Sequence, residues 1–395
     1  MSAIGSRGFG LLSVLAAGLW FGACREDDGP TAASPVEANA VTTASVVFYQ
    51  VSTADAHTCA ITVAGRAYCW GDNFAGKLGD GTTTERDTPT PVAGNLVFRN
   101  ISAGYNHTCG VTTDFLAYCW GSSLDGRLGT GVPSPHPTPT RVAGGLKFRI
   151  VTTGVAYSCG LTEPDQRPYC WGDDRYGELG DGGSKERDTP VPVAGGRRFR
   201  QISAGALHTC AVTPTNQAYC WGTDNSGELG DGVAVPVRSK PTLVSGGHLF
   251  TQIDAGFFNT CAVNTAGRAY CWGQGLSGDG TNEQRHVPVR VSGTLTYRRV
   301  TAGDNHSCGE TLTGKAYCWG LDFAGALGDG SSSTRALKPV AVTGGLVFAQ
   351  LTAGRSTCGK AAGGSLYCWG DNSFGQLGDG TTEARFAPTR VADPQ

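Results

Sequence analysis

The chain has 395 residues, a net charge of −2 and only 16% charged residues. That balance excludes a general electrostatic pull toward nucleic acid or anionic membranes. Sixty glycines against one methionine are about twice the usual glycine share and fit many short strands joined by tight turns.

At the start, Arg7 precedes an apolar run from Phe9 to Ala23. The run is too short to span a bilayer comfortably and reads as the core of a secretory signal. It ends in Trp20-Phe21-Gly22-Ala23-Cys24. Small residues just before a cysteine resemble a bacterial lipobox, which implies a lipidated Cys24 as the mature N-terminus. The alternative is a free thiol lost with the signal. Residues 25–45 are small and polar and read as a flexible tether.

From residue 46 onward the chain repeats. Tyr-Cys-Trp-Gly recurs with its tryptophan at Trp70, Trp120, Trp171, Trp221, Trp272, Trp319 and Trp369, in steps of 50, 51, 50, 51, 47 and 50 residues. A period near 50 with strand-like content predicts an all-β, seven-bladed propeller, residues 46–395.

Within one unit, His57 to Thr62 and Arg66 to Trp70 alternate with period two and read as strands. Val63-Ala64-Gly65 joins them as a three-residue hairpin turn that wants a left-handed third residue. Gly65, Asn216, Gly267, Gly314 and Gly364 suit that position; Phe115 does not, and the third copy is one residue longer. The turn sets Cys59 opposite Cys69 in a non-hydrogen-bonded pair, where side chains approach closely. Seven hairpin disulfides follow: Cys59–Cys69, Cys109–Cys119, Cys159–Cys170, Cys210–Cys220, Cys261–Cys271, Cys308–Cys318 and Cys358–Cys368. Zinc would want C-x-x-C clusters, which are absent from the sequence. Of fifteen cysteines, Cys24 alone is left over, which lipidation would explain.

The same alternation sets a tyrosine and a tryptophan on the opposite face from the disulfide. The aromatic face of one blade is expected to meet the disulfide face of the next. Two further strands complete each unit, one after a proline (Pro91-Val92, Arg141-Val142) and one from Val97 to Ser102. The first unit lacks a preceding proline strand and the chain ends with a spare, Pro388 to Val391. The last strand is therefore expected to join the first three and close the ring.

After each Trp-Gly runs a glycine-rich loop with an aspartate (Asp80, Asp181, Asp231, Asp279, Asp329, Asp379) and, six or seven residues on, an arginine (Arg86, Arg187, Arg238, Arg285, Arg335, Arg385). The second unit has Thr130 and His136 instead. Joint loss of acid and base predicts that they pair with each other and do not hold calcium, whose ligands would alternate. Arg197, Arg198 and Arg200 bracket Phe199 and read as a solvated strand face.

The run A-G-x-x-H-T-C-x-V-T-x-x-G-x-A-Y-C-W-G-x-N-x-x-G-x-L-G-D-G resembles the repeat of the regulator of chromosome condensation family. The resemblance covers about residues 46–395 and implies a seven-bladed propeller that binds proteins. The family includes a nucleotide exchange factor for a small GTPase and a secreted propeller that inhibits β-lactamase through its ring face. Export disfavours exchange activity here.

Strand directions put the hairpin turns on one face, and on the other the loops before each His-Thr-Cys and after each Trp-Gly. On that second face two residues differ in every copy: Asp55-Ala56, Tyr105-Asn106, Val155-Ala156, Ala206-Leu207, Phe257-Phe258, Asp304-Asn305 and Arg355-Ser356. Tyr105, Phe257, Phe258, Asp304 and Arg355 are candidate partner anchors, with Phe74, Tyr176, Phe323 and Phe374 in neighbouring loops. Local packing of the rings under the loops, or neutral variation, is the competing reading. Asp55 and Asp304 are the only acids among these variable positions and, taken as three blades apart, are not expected to converge. His57, His107, His208 and His306 recur two residues before a cysteine and are expected to satisfy structural bonds; the alternative is a cluster near the axis that binds a metal or an anion. The sequence offers no catalytic residue, cofactor site or metal site. The expectation is an exported, lipid-anchored, non-enzymatic scaffold of the bacterial cell envelope, binding a protein on the variable face. It would touch membrane only through Cys24 and would not bind nucleic acid. The alternatives are a lectin or enzyme using the axial pocket, and a structural envelope protein.

Overall fold

Strands of five to seven residues dominate because the repeats alternate small or β-branched residues with aromatics between glycine-rich turns. A computed structural model describes residues 46–233 and 235–394. The signal segment, Cys24 and the tether lie outside the described residues.

In the first blade β1 spans Phe48–Thr53, β2 His57–Thr62, β3 Ala67–Gly71 and β4 Arg86–Pro91. They form one antiparallel sheet in the order β1-β2-β3-β4, and each later blade repeats that order with the next four strands. Seven such sheets make an all-β, seven-bladed propeller. The first strand of each blade lines the axis and the fourth lies outermost. β2 is buried along its whole length, as expected for a strand covered on both faces by neighbouring blades.

Two expectations about strands are corrected. The chain's last strand, Arg385–Arg390, pairs with Leu366–Gly370 of its own blade, and the first blade has its own β4. The ring therefore closes by packing, without strand exchange. Gln350 of the seventh blade bonds both backbone groups of Val51, donating to the carbonyl at 2.9 Å and accepting from the N–H at 3.2 Å. The outermost strand also contains its prolines and does not follow them: β4 begins at Arg86 and ends at Pro91. Edge position permits this, since an edge strand can do without N–H groups on its solvent side.

Each hairpin keeps the expected register, with Cys59 opposite Cys69. All seven predicted disulfides are present, with Cα–Cα separations of 4.0 or 4.1 Å. These separations match the close, non-hydrogen-bonded pair. The turn residue is left-handed in every ten-step copy, including Phe115 at φ 68°.

The core lies between blades. Cys59, Ile61 and Cys69 pack with Phe98, Ile101 and Trp120 of the second blade, and Cys109 and Cys119 with Phe148 and Trp171 of the third. Disulfide does meet aromatic face, but in the opposite sense to that expected: each disulfide face meets the aromatics of the following blade. Five repeat tryptophans also donate across a boundary, as Trp171 does to the Arg127 carbonyl at 3.0 Å and Trp70 to that of Gln376 at 3.0 Å. The glycine before each loop aspartate exists for this packing. A Cβ on Gly79 would sit 2.5 Å from Trp120 Nε1. Residues 45–395 form one compact unit containing every one of these contacts.

Candidate functional site

The axial mouth is built from the turn between the first two strands of each blade. Backbone bonds tie six of the seven turns to the next: Phe257 N–H donates to Gly303 O at 3.1 Å, Asp304 to Gly354 O at 3.1 Å and Arg355 to Ala54 O at 3.2 Å. Small residues permit that approach. A Cβ on Gly354 would lie 2.2 Å from Ala54 O. The backbone is thus pinned while one side chain per blade is free to vary. Asp55, Tyr105, Val155, Ala206, Phe257 and Asp304 line the mouth, which encloses about 160 Å³. That is too small to bury an ordinary small-molecule ligand, but large enough for the end of a side chain.

The seventh turn is one residue shorter. Gly354 N–H donates to Ser356 O at 2.9 Å, whereas Gly104 reaches three residues on, to His107. Ser356 therefore belongs to the strand, buried in the place of the repeat histidine, and only Arg355 of that pair is a rim residue. Asp55 and Asp304, not expected to converge, do so. They belong to the first and sixth blades, which flank the short seventh turn, and with Arg355 and Phe323 they line one recess of about 260 Å³. Arg355 Nε pairs with Asp371 at 2.8 Å, its Nη1 lies 3.8 Å from Asp55, and its guanidinium stands 5.2 Å over the Phe323 ring.

Burial first, and then the Asp55 charge, push the Asp304 carboxyl up to about 7, against the pull of Arg355. Burial likewise raises Asp55, opposed by Lys77 and Arg355. The Tyr105 hydroxyl is raised by the Asp55 carboxylate, with burial adding to it. Asp304 therefore changes charge near neutrality, and the rim's net charge changes with it.

Of the aromatic candidates, Phe323 lines this recess and the others stand on the loops of other blades on the same face. Phe74 and Phe323 are 59% and 53% exposed. Tyr105, Tyr176 and Phe258 are also exposed, while Phe257 is half-buried with its ring edge-on to Phe258 at 4.5 Å. Phe374 is half-buried as well. Leu124, 66% exposed, stands in the loop position of Phe74 and Phe323. It carries no ring, and only its place in the repeat marks it in the sequence.

Two other constellations are structural. His57, His107, His208 and His306 each bond a hydroxyl of the following blade through Nε2, to Thr108, Ser158, Thr260 and Thr357 at 2.6–2.8 Å. Burial holds all four below the usual histidine range, His208 at about 3 and His306 at about 4. The loop acids and bases pair as expected in five blades, for example Arg187 with Asp181 at 2.7 Å. In the sixth, Asp329 instead accepts from the Ser331 N–H. Among the described residues no group of three or more metal-ligating side chains could hold a metal ion, and no helix is long and apolar enough to cross a membrane. Seven disulfides point to an oxidising compartment.

Comparison with known proteins agrees with the fold. The RCC1-like domain matches residues 21–296, and regulator of chromosome condensation (RCC1) repeats match residues 297–326 and 363–395. The E3 ubiquitin-protein ligases HERC2 of Homo sapiens and Mus musculus are each 30% identical over 120 residues, 29% of this chain. The match spans about 2% of the length of these relatives. Among solved structures, human WBSCR16 superposes with a TM-score of 0.74 at 21% identity, covering 83% of this chain and 94% of that one. Yeast RCC1 (Prp20), solved bound to Kap60, gives 0.69 at 20% identity over 78% of each chain. A second Prp20p structure, from Saccharomyces cerevisiae, was described with that protein's binding to Gsp1p and histones; it gives 0.68 at 20% identity over 78% of this chain and 80% of that one. With the repeat, the ring and the matched span in agreement, the chain belongs to the RCC1-like domain family.

Proposed function

We propose that this protein is an exported, lipid-anchored, non-enzymatic scaffold that binds a protein partner on its mouth face. The observation that carries the reading is the set of exposed rings, Phe74, Tyr105, Tyr176, Phe258 and Phe323, grouped on one face of a rigid ring. Exposed aromatics around a polar centre are what protein interfaces enrich. The disulfides support export, and Cys24, the one cysteine outside the repeats, supports a lipid anchor. Prp20, of the same fold, was studied with protein partners, which fits a binding role. The test is crosslinking and capture from native envelopes with wild type and with a Tyr105→Ala, Phe257→Ala, Phe258→Ala variant that still folds. A protein captured by the first and lost by the second supports the reading; equal capture contradicts it.

A second reading, a glycan-binding lectin at the axial mouth, draws on the convergence of Asp55, Asp304 and Arg355. Sugar binding that Asp304→Asn abolishes would favour it over the first.

A further inference from the structure

The face opposite the mouth has a chemistry of its own. Arg99, Arg149 and Arg298 are the second residues of the axis-lining strands in their blades, and Arg200 takes the matching place in the repeat, just before the fourth blade's strand Gln201–Ala204. Arg299 follows, and Lys360 stands close enough to Arg299 and Arg298 for their charges to lower its pKa, after burial. Arg200, Arg298 and Arg299 line the lower end of the axial channel. Acids on this face are few, and all but Glu163, on the third blade's hairpin turn, are engaged. Glu310 is buried against Arg298, Asp114 accepts from Thr112, and Asp165 lies 3.9 Å from Arg198. For Arg149, Arg299 and Lys360 no carboxylate lies within ion-pair distance among the described residues.

The same face exposes aliphatic side chains. Val63 and Leu312, at the tips of hairpin turns, are 70% and 65% exposed, and Val47, Val97, Leu249 and Val347, whose carbonyls each accept a bond from a hairpin turn, are 43–48% exposed. Tyr49 stands among them, in the position that four other blades give to arginine. In a chain of net charge −2, this is a segregated surface, with cations around the axis and apolar tips outside them. A surface with cations at its centre and apolar tips around them suits an anionic lipid interface. There the cations meet headgroup phosphates and the apolar side chains enter the acyl boundary.

The chain also enters the propeller here. β1 runs from this face toward the mouth, so Val46, to which the preceding residues join, lies at the basic end. The stretch between Cys24 and Val46 is about 20 residues and reaches at most about 70 Å.

We propose that this hairpin face docks on an anionic phospholipid surface, which turns the mouth and its aromatic rim away from the membrane. The inference rests on the export reading above, but needs neither the partner nor the lipid on Cys24. Binding would combine apolar burial with a salt-sensitive attraction of the arginines to headgroup phosphates.

The propeller, residues 45–395, holds all seven disulfides and its entire core, so it is tested alone. It is sedimented with vesicles of phosphatidylcholine containing roughly 30 mol % phosphatidylglycerol, and with phosphatidylcholine alone. We expect binding to the anionic vesicles only, released at about 1 M salt. Arg99→Glu, Arg149→Glu, Arg299→Glu together should weaken it about tenfold or more, and Val63→Ser with Leu312→Ser severalfold. The aliphatic pair sits on exposed turn tips and serves if the charge variant misfolds. No sedimentation with anionic vesicles, equal sedimentation with both kinds, or binding to duplex DNA without binding to vesicles overturns the proposal. The anchor is read separately, from the mass of lipid on Cys24 in the full chain, so the two can fail independently.

Discussion

His57 of the first blade bonds Thr108 of the second, Nε2 to Oγ1, at 2.8 Å. The same bond joins His107 to Ser158, His208 to Thr260 and His306 to Thr357. At the seam between the seventh and first blades Ser356 stands in the histidine's place, so that boundary lacks the staple.

These histidines make acid a specific threat to the ring. Their folded pKa values lie below the ordinary 6.5, at about 3 for His208 and about 4 for His306, because burial disfavours the charged ring. Stability from keeping them neutral is present above pH 6.5 and is lost as pH falls toward 4 and then 3. His208→Ala should lower stability at pH 7 by about 1–3 kcal/mol through the lost buried bond. It should also flatten the decline below pH 6. Urea unfolding at several pH values checks both.

Asp174 and Asp224 make the opposite prediction. Asn73 and Asn372 hold the same loop position in other blades, donating to Asp80 and Asp379 while accepting from a leucine N–H. An aspartate there keeps the accepted bond but faces Asp181 or Asp231 as a second acid. Burial first, and then that neighbour, raise Asp174 to about 6 and Asp224 to about 7. Their folded values exceed 3.8, so the stability they allow is full below pH 4 and is lost as pH rises through 6 to 7. Asp224→Asn should stabilise the protein by about 1–2 kcal/mol at pH 8 and by little at pH 4. Thermal unfolding at the two pH values checks it; equal effects would contradict the assignment.

Each disulfide closes a short hairpin. Replacing Cys210 and Cys220 together by alanine should cost about 2–3 kcal/mol and leave the ring assembled, since the strand register is held by the ladder as well. Denaturant unfolding gives the cost, and solution scattering shows whether the ring stays closed.

How much of this was legible in the sequence depends on how local each feature is. The Cys59–Cys69 pairing needed only a turn length and strand alternation. The ring needed only the tryptophan spacing. Closure was misread because a string of four-strand repeats can be cut at any strand. Prolines in Arg86–Pro91 and in Arg385–Arg390 look alike whether the last strand crosses the seam or stays home. The meeting of Asp55, Asp304 and Arg355 needed the circle itself, since residues some 250 apart become neighbours only when the seventh blade is set beside the first. The arginine ring went unseen for a related reason: it contributes one or two residues per repeat and forms no run. Only Arg197, Arg198 and Arg200 were dense enough to notice.

Asp304 links the site to pH. Between pH 8 and pH 6 its carboxyl gains a proton, which removes a negative charge from the rim. A partner that presents a cation there should bind more weakly at pH 6, by up to about tenfold for the loss of one paired charge. Asp304→Asn should abolish that dependence. Titration of a captured partner at the two pH values, with wild type and variant, checks both.

The central claim is tested most directly by hydroxyl-radical footprinting of the protein in native envelopes against the purified propeller. The account predicts that Phe74, Tyr105, Tyr176, Phe258 and Phe323 lose reactivity together in the envelope, marking a protein seated on the mouth face. If those five rings stay as reactive as in the purified protein, the mouth face is not where this propeller binds its partner.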